Sequence, residues 1–113
     1  MPARYVPDSG DIVWMDFNPQ LGREQAGRRP AVVLSPKAYN VKSSLLVCVP
    51  ITNQIKGYPF EVVLSGAVAT GAALSDQIKS MDWQARKVEV KGKASLAEIA
   101  EVTAKIRALL MIG

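Results

Sequence analysis

The sequence predicts a mainly β domain, a small, partly open barrel of five to seven strands with one C-terminal α-helix. Three observations predict it. Short runs of strand-forming residues are separated by turns rich in glycine, proline and asparagine. No long helical crossover lies between them, which argues against a doubly wound parallel sheet. Only the tail changes its hydrophobic period from two to between three and four. With 113 residues, 49% of them apolar, the chain is one domain, residues 1–113, able to form a single core.

The elements follow in order. Pro7-Asp8-Ser9-Gly10 signals a turn. Residues 11–17 then alternate as a strand, with Ile12, Trp14 and Asp16 on one face and Val13, Met15 and Phe17 on the other. Asn18-Pro19 breaks it, and residues 18–28 form a polar loop. A strand resumes from about Arg29 to Ser35. A short helix is expected over Pro36–Ser43, with Ser35 as its cap and Pro36 at the first helical position. Residues 44–51 are a continuous apolar run, the mark of a strand buried on both faces. Its lone Cys48 is expected as a buried thiol. After a polar turn at 52–57, Pro59–Leu64, Ala73–Asp76, Ile78–Trp83 and Lys87–Val90 are further strands. The tail opens with a capping box, Ser95 and Glu98. Leu96, Ile99, Thr103, Ile106 and Leu110, widened by Val102 and Leu109, then make one helical face.

What the chain lacks narrows its chemistry. It contains no histidine, which removes the usual acid–base group, histidine metal ligands and any serine–histidine triad. One cysteine excludes a zinc site built on two thiolates. No glycine-rich loop of the G-x-x-x-x-G-K type is present. No metal and no cofactor is therefore expected. No apolar run approaches the ~20 residues of a membrane span, and the N-terminus lacks a signal peptide's apolar core. The expectation is a cytoplasmic protein with no membrane contact. The net charge of +4 suits a polyanionic partner.

The remaining kit of carboxylate, guanidinium and hydroxyl groups fits one reaction. In RNA the 2′-hydroxyl can attack the adjacent phosphodiester, so neither a bound water nor a metal is needed. The protein must move two protons and stabilise added charge on the phosphoryl oxygens. The loop GREQAGRRP, Gly22–Pro30, holds Arg23, Glu24, Arg28 and Arg29 beside a strand end, and arginines near a phosphate supply that stabilisation. On composition alone it reads as a solvated charged turn. Thr52 ends the apolar strand; it either bonds the turn backbone or donates to a phosphate oxygen. Lys56, Lys79, Arg86, Lys87, Lys91 and Lys93 make either a basic track for RNA or a solvated surface. Trp14, Phe17, Tyr39, Tyr58 and Trp83 are expected mostly in the core, with one or two left to stack on bases.

The segments RYVPDSGDIVWMDFNP, EQAGRRPAVVLSP, YN, VCVPIT, KGYPFEV and SDQIKSMDWQAR occur in this order. Together they resemble the MazF family of toxin endoribonucleases over roughly residues 4–92, and the terminal helix resembles it by type. The resemblance implies an SH3-like barrel shared with PemK, Kid and CcdB toxins. It implies a homodimer that cleaves single-stranded RNA, mainly mRNA, at a short recognition sequence without metal, and so arrests translation and growth. It also implies a MazE-type antitoxin whose acidic, flexible C-terminal segment covers the RNA site. Carried onto this sequence, the catalytic positions are Glu24, Arg29 and Thr52, and the RNA groove is lined by Phe17, Lys56, Gln77 and Lys79. Two other readings stay open: a gyrase poison of the CcdB type, and an SH3-like module that binds RNA or an acidic peptide without catalysis. CcdB-like toxins act through a Trp-Gly-Ile ending, whereas this chain ends Leu110-Met111-Ile112-Gly113.

The sequence departs from the family at Arg28, where known members can carry histidine. A titrating group is lost and a fixed positive charge is gained, which makes Arg28 a further RNA-binding residue. RNA cleavage is accordingly expected to vary little between about pH 5.5 and 7.5, where histidine would titrate. A pH–rate profile checks this; a single-proton inflection near about pH 6.5 that survives Glu24→Gln contradicts it.

Overall fold

A computed structural model describes residues 4–18, 22, 27–65 and 70–113. The elements run β1 (Asp11–Asp16), β2 (Arg28–Val33), α1 (Lys37–Ser43), β3 (Leu45–Thr52), β4 (Glu61–Leu64) and β5 (Gly71–Leu74). A 3₁₀ turn (Ser75–Gln77), β6 (Lys79–Asp82), β7 (Glu89–Lys93) and α2 (Leu96–Leu110) follow. Neighbours along the sheet run β4-β5-β3-β2-β1-β7, with β6 on β3, and every described pairing is antiparallel. The predicted class, mainly β with a C-terminal helix, is the observed one.

The period-two alternation divides the strands between two cores. Ile12, Val32, Val49, Ile51, Val62, Leu64 and Ala73 face α2 and pack with its Val102 and Ile106. Val13, Met15, Phe17, Ala31, Val33, Leu46 and Cys48 turn to the other face and pack with Met81 and Trp83. β3 contributes to both, as its unbroken apolar run predicts. Burial pushes the Cys48 thiol up to about 12, so it is a packed, protonated thiol.

Several local expectations move. Ser35 does not cap α1: Pro36 holds the cap position, without a side-chain bond. The Ser35 hydroxyl instead donates to Asn40 Oδ1 (2.6 Å) and accepts from the Val47 N–H (2.8 Å). Buried Asn40 also donates to the carbonyls of Pro7 and Ser35, which ties the N-terminal segment to α1. The strand expected at Ala73–Asp76 lies at Gly71–Leu74, and Ser75–Gln77 curls into the 3₁₀ turn. The strand expected at Lys87–Val90 lies at Glu89–Lys93.

At α2 the capping box forms in full: the Ser95 hydroxyl accepts the Glu98 N–H (3.1 Å) and the Glu98 carboxylate accepts the Ser95 N–H (2.9 Å). The other Glu98 oxygen takes the N–H of Ser65, joining the helix start to the end of β4. The apolar face is shorter than its periodicity. Leu96 is 86% exposed and Leu110 is also exposed, because the sheet buries only the middle turns, at Val102 and Ile106.

β3 and β5 meet closely where the two cores end. Gly71 has φ of 125°, and a Cβ there would lie 2.2 Å from the Thr52 carbonyl oxygen. Gly71→Ala is expected to cost about 2 kcal/mol or more in urea unfolding. RNA cleavage should also fall under conditions where the variant remains folded, because the Thr52 backbone must move; wild-type activity and stability would contradict this.

Candidate active site at the ends of β2 and β3

Antiparallel pairing brings together the end of β2 that carries Arg29 and the end of β3 that carries Thr52. Ala31 lies opposite Pro50, Val32 opposite Val49 and Val33 opposite Cys48. The β2–β3 pairing ends at Ala31–Pro50, and Arg29 and Thr52 each follow two residues beyond that pair, at the adjoining ends of the two strands. Directly opposed residues of an antiparallel pair face the same way. Alternation puts Arg29 on the side of Ala31 and Val33, and Thr52 on the side of Cys48. Both therefore continue the face of the second core beyond its apolar edge. On the other side of β2, Arg29 stands opposite Met15, which is fully buried. Arg29 is half-buried and makes an interaction within the protein.

Thr52 is 6% exposed, and its hydroxyl accepts the N–H of Gln54 at 3.1 Å. That bond uses an oxygen lone pair and leaves the hydroxyl proton able to donate. Lys79 lies opposite Cys48 on β6. Lys79 and Arg86 both favour the Cys48 thiolate electrostatically, so positive charge gathers at this end of the second core. Gln77 ends the 3₁₀ turn two residues before Lys79, and both residues make interactions within the protein.

Lys56 reaches the same region from the loop after β3. It lines a small polar cavity with Thr52, Gln54, Tyr58, Glu61 and Leu74. The cavity holds about 40 Å³, room for a water or a phosphate oxygen and not for a base. The backbone N–H groups of Lys56 and Gly57 both donate to the Glu61 carboxylate, at 3.0 and 2.7 Å. Sequence reasoning passed over Glu61; the available signal was a lone charge opening an apolar strand, five residues after Lys56.

Phe17 is corrected from groove to core. It is 1% exposed and packs in the second cluster, so its ring offers no face to a nucleotide. Its N–H donates to the Gly27 carbonyl (2.9 Å), while the Gly27 N–H donates to Asn18 Oδ1 (3.1 Å). Arg86 adds bonds to the carbonyls of Asp16 (3.1 Å) and Asn18 (2.6 Å). These contacts fix the base of the arginine loop. Glu24 and Arg23 lie outside the described residues.

Arg28 points away from Arg29, as successive strand residues must. Its Nη2 donates to Glu89 Oε1 at 2.6 Å and to the Lys87 carbonyl at 3.1 Å. The fixed charge is thus already paired across to β7. The expected basic track divides as well: Lys91 covers the Trp14 ring at 4.5 Å, and Lys93 pairs with Asp11 at 3.0 Å, at the far end of β1.

The Arg28–Glu89 pair is exposed, so Glu89→Gln is expected to change stability by less than about 1 kcal/mol. It should tighten RNA binding severalfold by freeing the guanidinium, with a steeper salt dependence. Titration with a labelled RNA at two salt concentrations checks this, and unchanged affinity would count Arg28 as structural.

Comparison with known proteins identifies the family. A family model described as PemK-like, MazF-like toxin of type II toxin-antitoxin system matches residues 8–110. The chain is 56% identical over 110 residues to the endoribonuclease toxin MazF of Escherichia coli strain K12, covering 97% of this chain and 99% of that one. It is similar to the crystal structure of MazF from Deinococcus radiodurans, with a TM-score of 0.93, 46% identity and coverage of 96% and 100%. It is also similar to a MazE-MazF crystal structure from the same organism, with a TM-score of 0.87, 41% identity and coverage of 97% and 100%. The chain belongs to the PemK-like, MazF-like family of toxins of type II toxin–antitoxin systems.

Proposed function

We propose that this endoribonuclease toxin cleaves single-stranded RNA, mainly mRNA, through Arg29, Thr52 and Glu24, without a metal ion. The observation that supports the residue assignment is that Arg29 and Thr52 stand at the adjoining ends of β2 and β3, just past the pair Ala31–Pro50. The substrate 2′-oxygen attacks phosphorus and the bond to the 5′-oxygen breaks, giving a 2′,3′-cyclic phosphate and a 5′-hydroxyl. The 2′-hydroxyl proton passes to a base and another reaches the departing 5′-oxygen. A guanidinium keeps its proton at ordinary pH, so it is a poor base and a strong stabiliser of charged phosphoryl oxygens. Arg29 accordingly holds the charge and protonates the leaving oxygen. Glu24 takes the proton or orients Arg29. Thr52 donates its hydroxyl to a phosphoryl oxygen. Lys56, Gln77 and Lys79 line the RNA path.

The toxin's protein partner is a MazE-type antitoxin, and MazE-MazF complexes are known among its structural relatives. Its acidic C-terminal segment competes with RNA for the same cations. The toxin works as a homodimer in the cytoplasm. Among the described residues no helix is long and apolar enough to cross a membrane.

Incubation with a long transcript in EDTA tests catalysis and specificity together. Discrete fragments with 5′-hydroxyl ends are expected, and sequencing those ends gives the recognition site; intact RNA would favour a gyrase poison or a binding module. Arg29→Ala and Thr52→Ala are each expected to lower kcat about 100-fold or more. Affinity for an RNA carrying a 2′-deoxy sugar at the cut should stay within about fivefold of wild type, since these groups act mainly in the transition state. Equal loss of binding and cleavage would make them a grip and not a catalyst.

A further inference from the structure

We infer that Glu61 is a positioning residue for RNA binding, which sets the loop after Thr52 so that Lys56 faces the substrate. The inference rests on the reading that Lys56 lines the RNA path. Glu61 opens β4 and is 8% exposed. A buried carboxylate without partners is costly, yet this one is bonded to backbone. One oxygen accepts the Gly57 N–H at 2.7 Å and the Lys56 N–H at 3.2 Å; the other accepts the Lys56 N–H at 3.0 Å. Its own N–H donates to the Tyr58 carbonyl at 3.1 Å.

The loop is thereby held at both ends. Thr52 fixes Gln54 from the β3 side, and Glu61 fixes Lys56 and Gly57 from the β4 side. Gly57 supplies the left-handed φ of 81° that lets two successive N–H groups converge on one carboxylate. Lys105 on α2 donates to the Pro59 carbonyl and anchors the end of the same segment. Lys56 itself is exposed, on a long side chain whose reach is set by this backbone.

The charge of Glu61 makes the inference testable by sign. A carboxylate beside a polyanion weakens RNA binding by repulsion, so a mere electrostatic neighbour predicts tighter binding when neutralised. A positioning role predicts the reverse. In Glu61→Gln the amide oxygen keeps one acceptor, while the NH₂ group faces backbone donors and releases the loop.

The test is cleavage kinetics on a short RNA bearing the recognition sequence, with melting temperatures for every protein. Glu61→Gln should raise KM about tenfold, in keeping with the loss of charge-assisted hydrogen bonds, and leave kcat within about twofold. Lys56→Ala should raise KM similarly. The double variant should be little worse than Lys56→Ala, because both changes remove one contact. Gly57→Ala keeps the carboxylate and strains only the backbone, with no atom within 4 Å of the new Cβ. It should raise KM in the same way, and it keeps the test open if Glu61→Gln does not fold. Unchanged or lowered KM in folded Glu61→Gln, or effects that add in full with Lys56→Ala, overturns the inference. Wild-type KM in Lys56→Ala overturns the placement of Lys56 on the RNA path, and the inference with it.

Discussion

The molecule depends on β3 being buried on both faces. This strand carries Leu46 and Cys48 into one core and Val49 and Ile51 into the other. It pairs with β6 over Leu45–Cys48, with β2 over Cys48–Pro50 and with β5 over Ile51–Thr52. Each fully buried aliphatic side chain contributes about 1.5–3 kcal/mol, so a few consecutive residues hold both sheets and both cores together. Proline is costly in such a strand, yet Pro50 falls where β3 changes partner, between its β6 and β5 pairings. Pro30 is placed similarly, one residue before β2 begins to pair with β3. Both prolines stand where a ladder has a gap, so their missing N–H groups cost little.

That constraint limits where polar groups can stand. Polar groups are excluded along β3 until its last residue, where the chain leaves the cores. Thr52 is the first hydroxyl available there, and Arg29 stands at the adjoining end of β2. The backbone on which both side chains stand is closely packed, beside the buried Met15 and the close approach of Gly71. Arg28 and Arg29 are chemically identical and adjacent, but the pleat sends Arg28 to Glu89 and turns Arg29 to the opposite face of the strand.

Local pattern carried much of this. The strand order along the chain, the double burial of β3, the buried thiol and the α2 capping box all follow from spacings within a few residues. What escaped was non-local. Arg28 meets Glu89 across a sequence separation of 61, which no local pattern reports. The exposure of Leu96 and Leu110 depends on how far the sheet extends beneath α2, not on helical period. Phe17 is the more instructive case. Alternation along β1 had grouped it with Val13 and Met15 on one face, while family resemblance pointed to the RNA groove. The structure places it with Val13 and Met15; the period of the strand was the better guide.

The Thr52 hydroxyl serves the fold and still has a proton to donate. Its hydroxyl accepts the Gln54 N–H, the bond expected of a threonine that simply ends a strand. An accepted hydrogen bond occupies a lone pair and turns the O–H away from the donor. The same bond that closes the turn therefore orients the proton that a phosphoryl oxygen would accept. The chain has no histidine, the side chain that ordinarily titrates near neutrality, so on the proposed mechanism fixed charges and donors carry more of the catalysis. On that proposal, a hydroxyl held by a backbone bond and a half-buried guanidinium at the start of β2 would meet charge on the phosphate with little reorganisation.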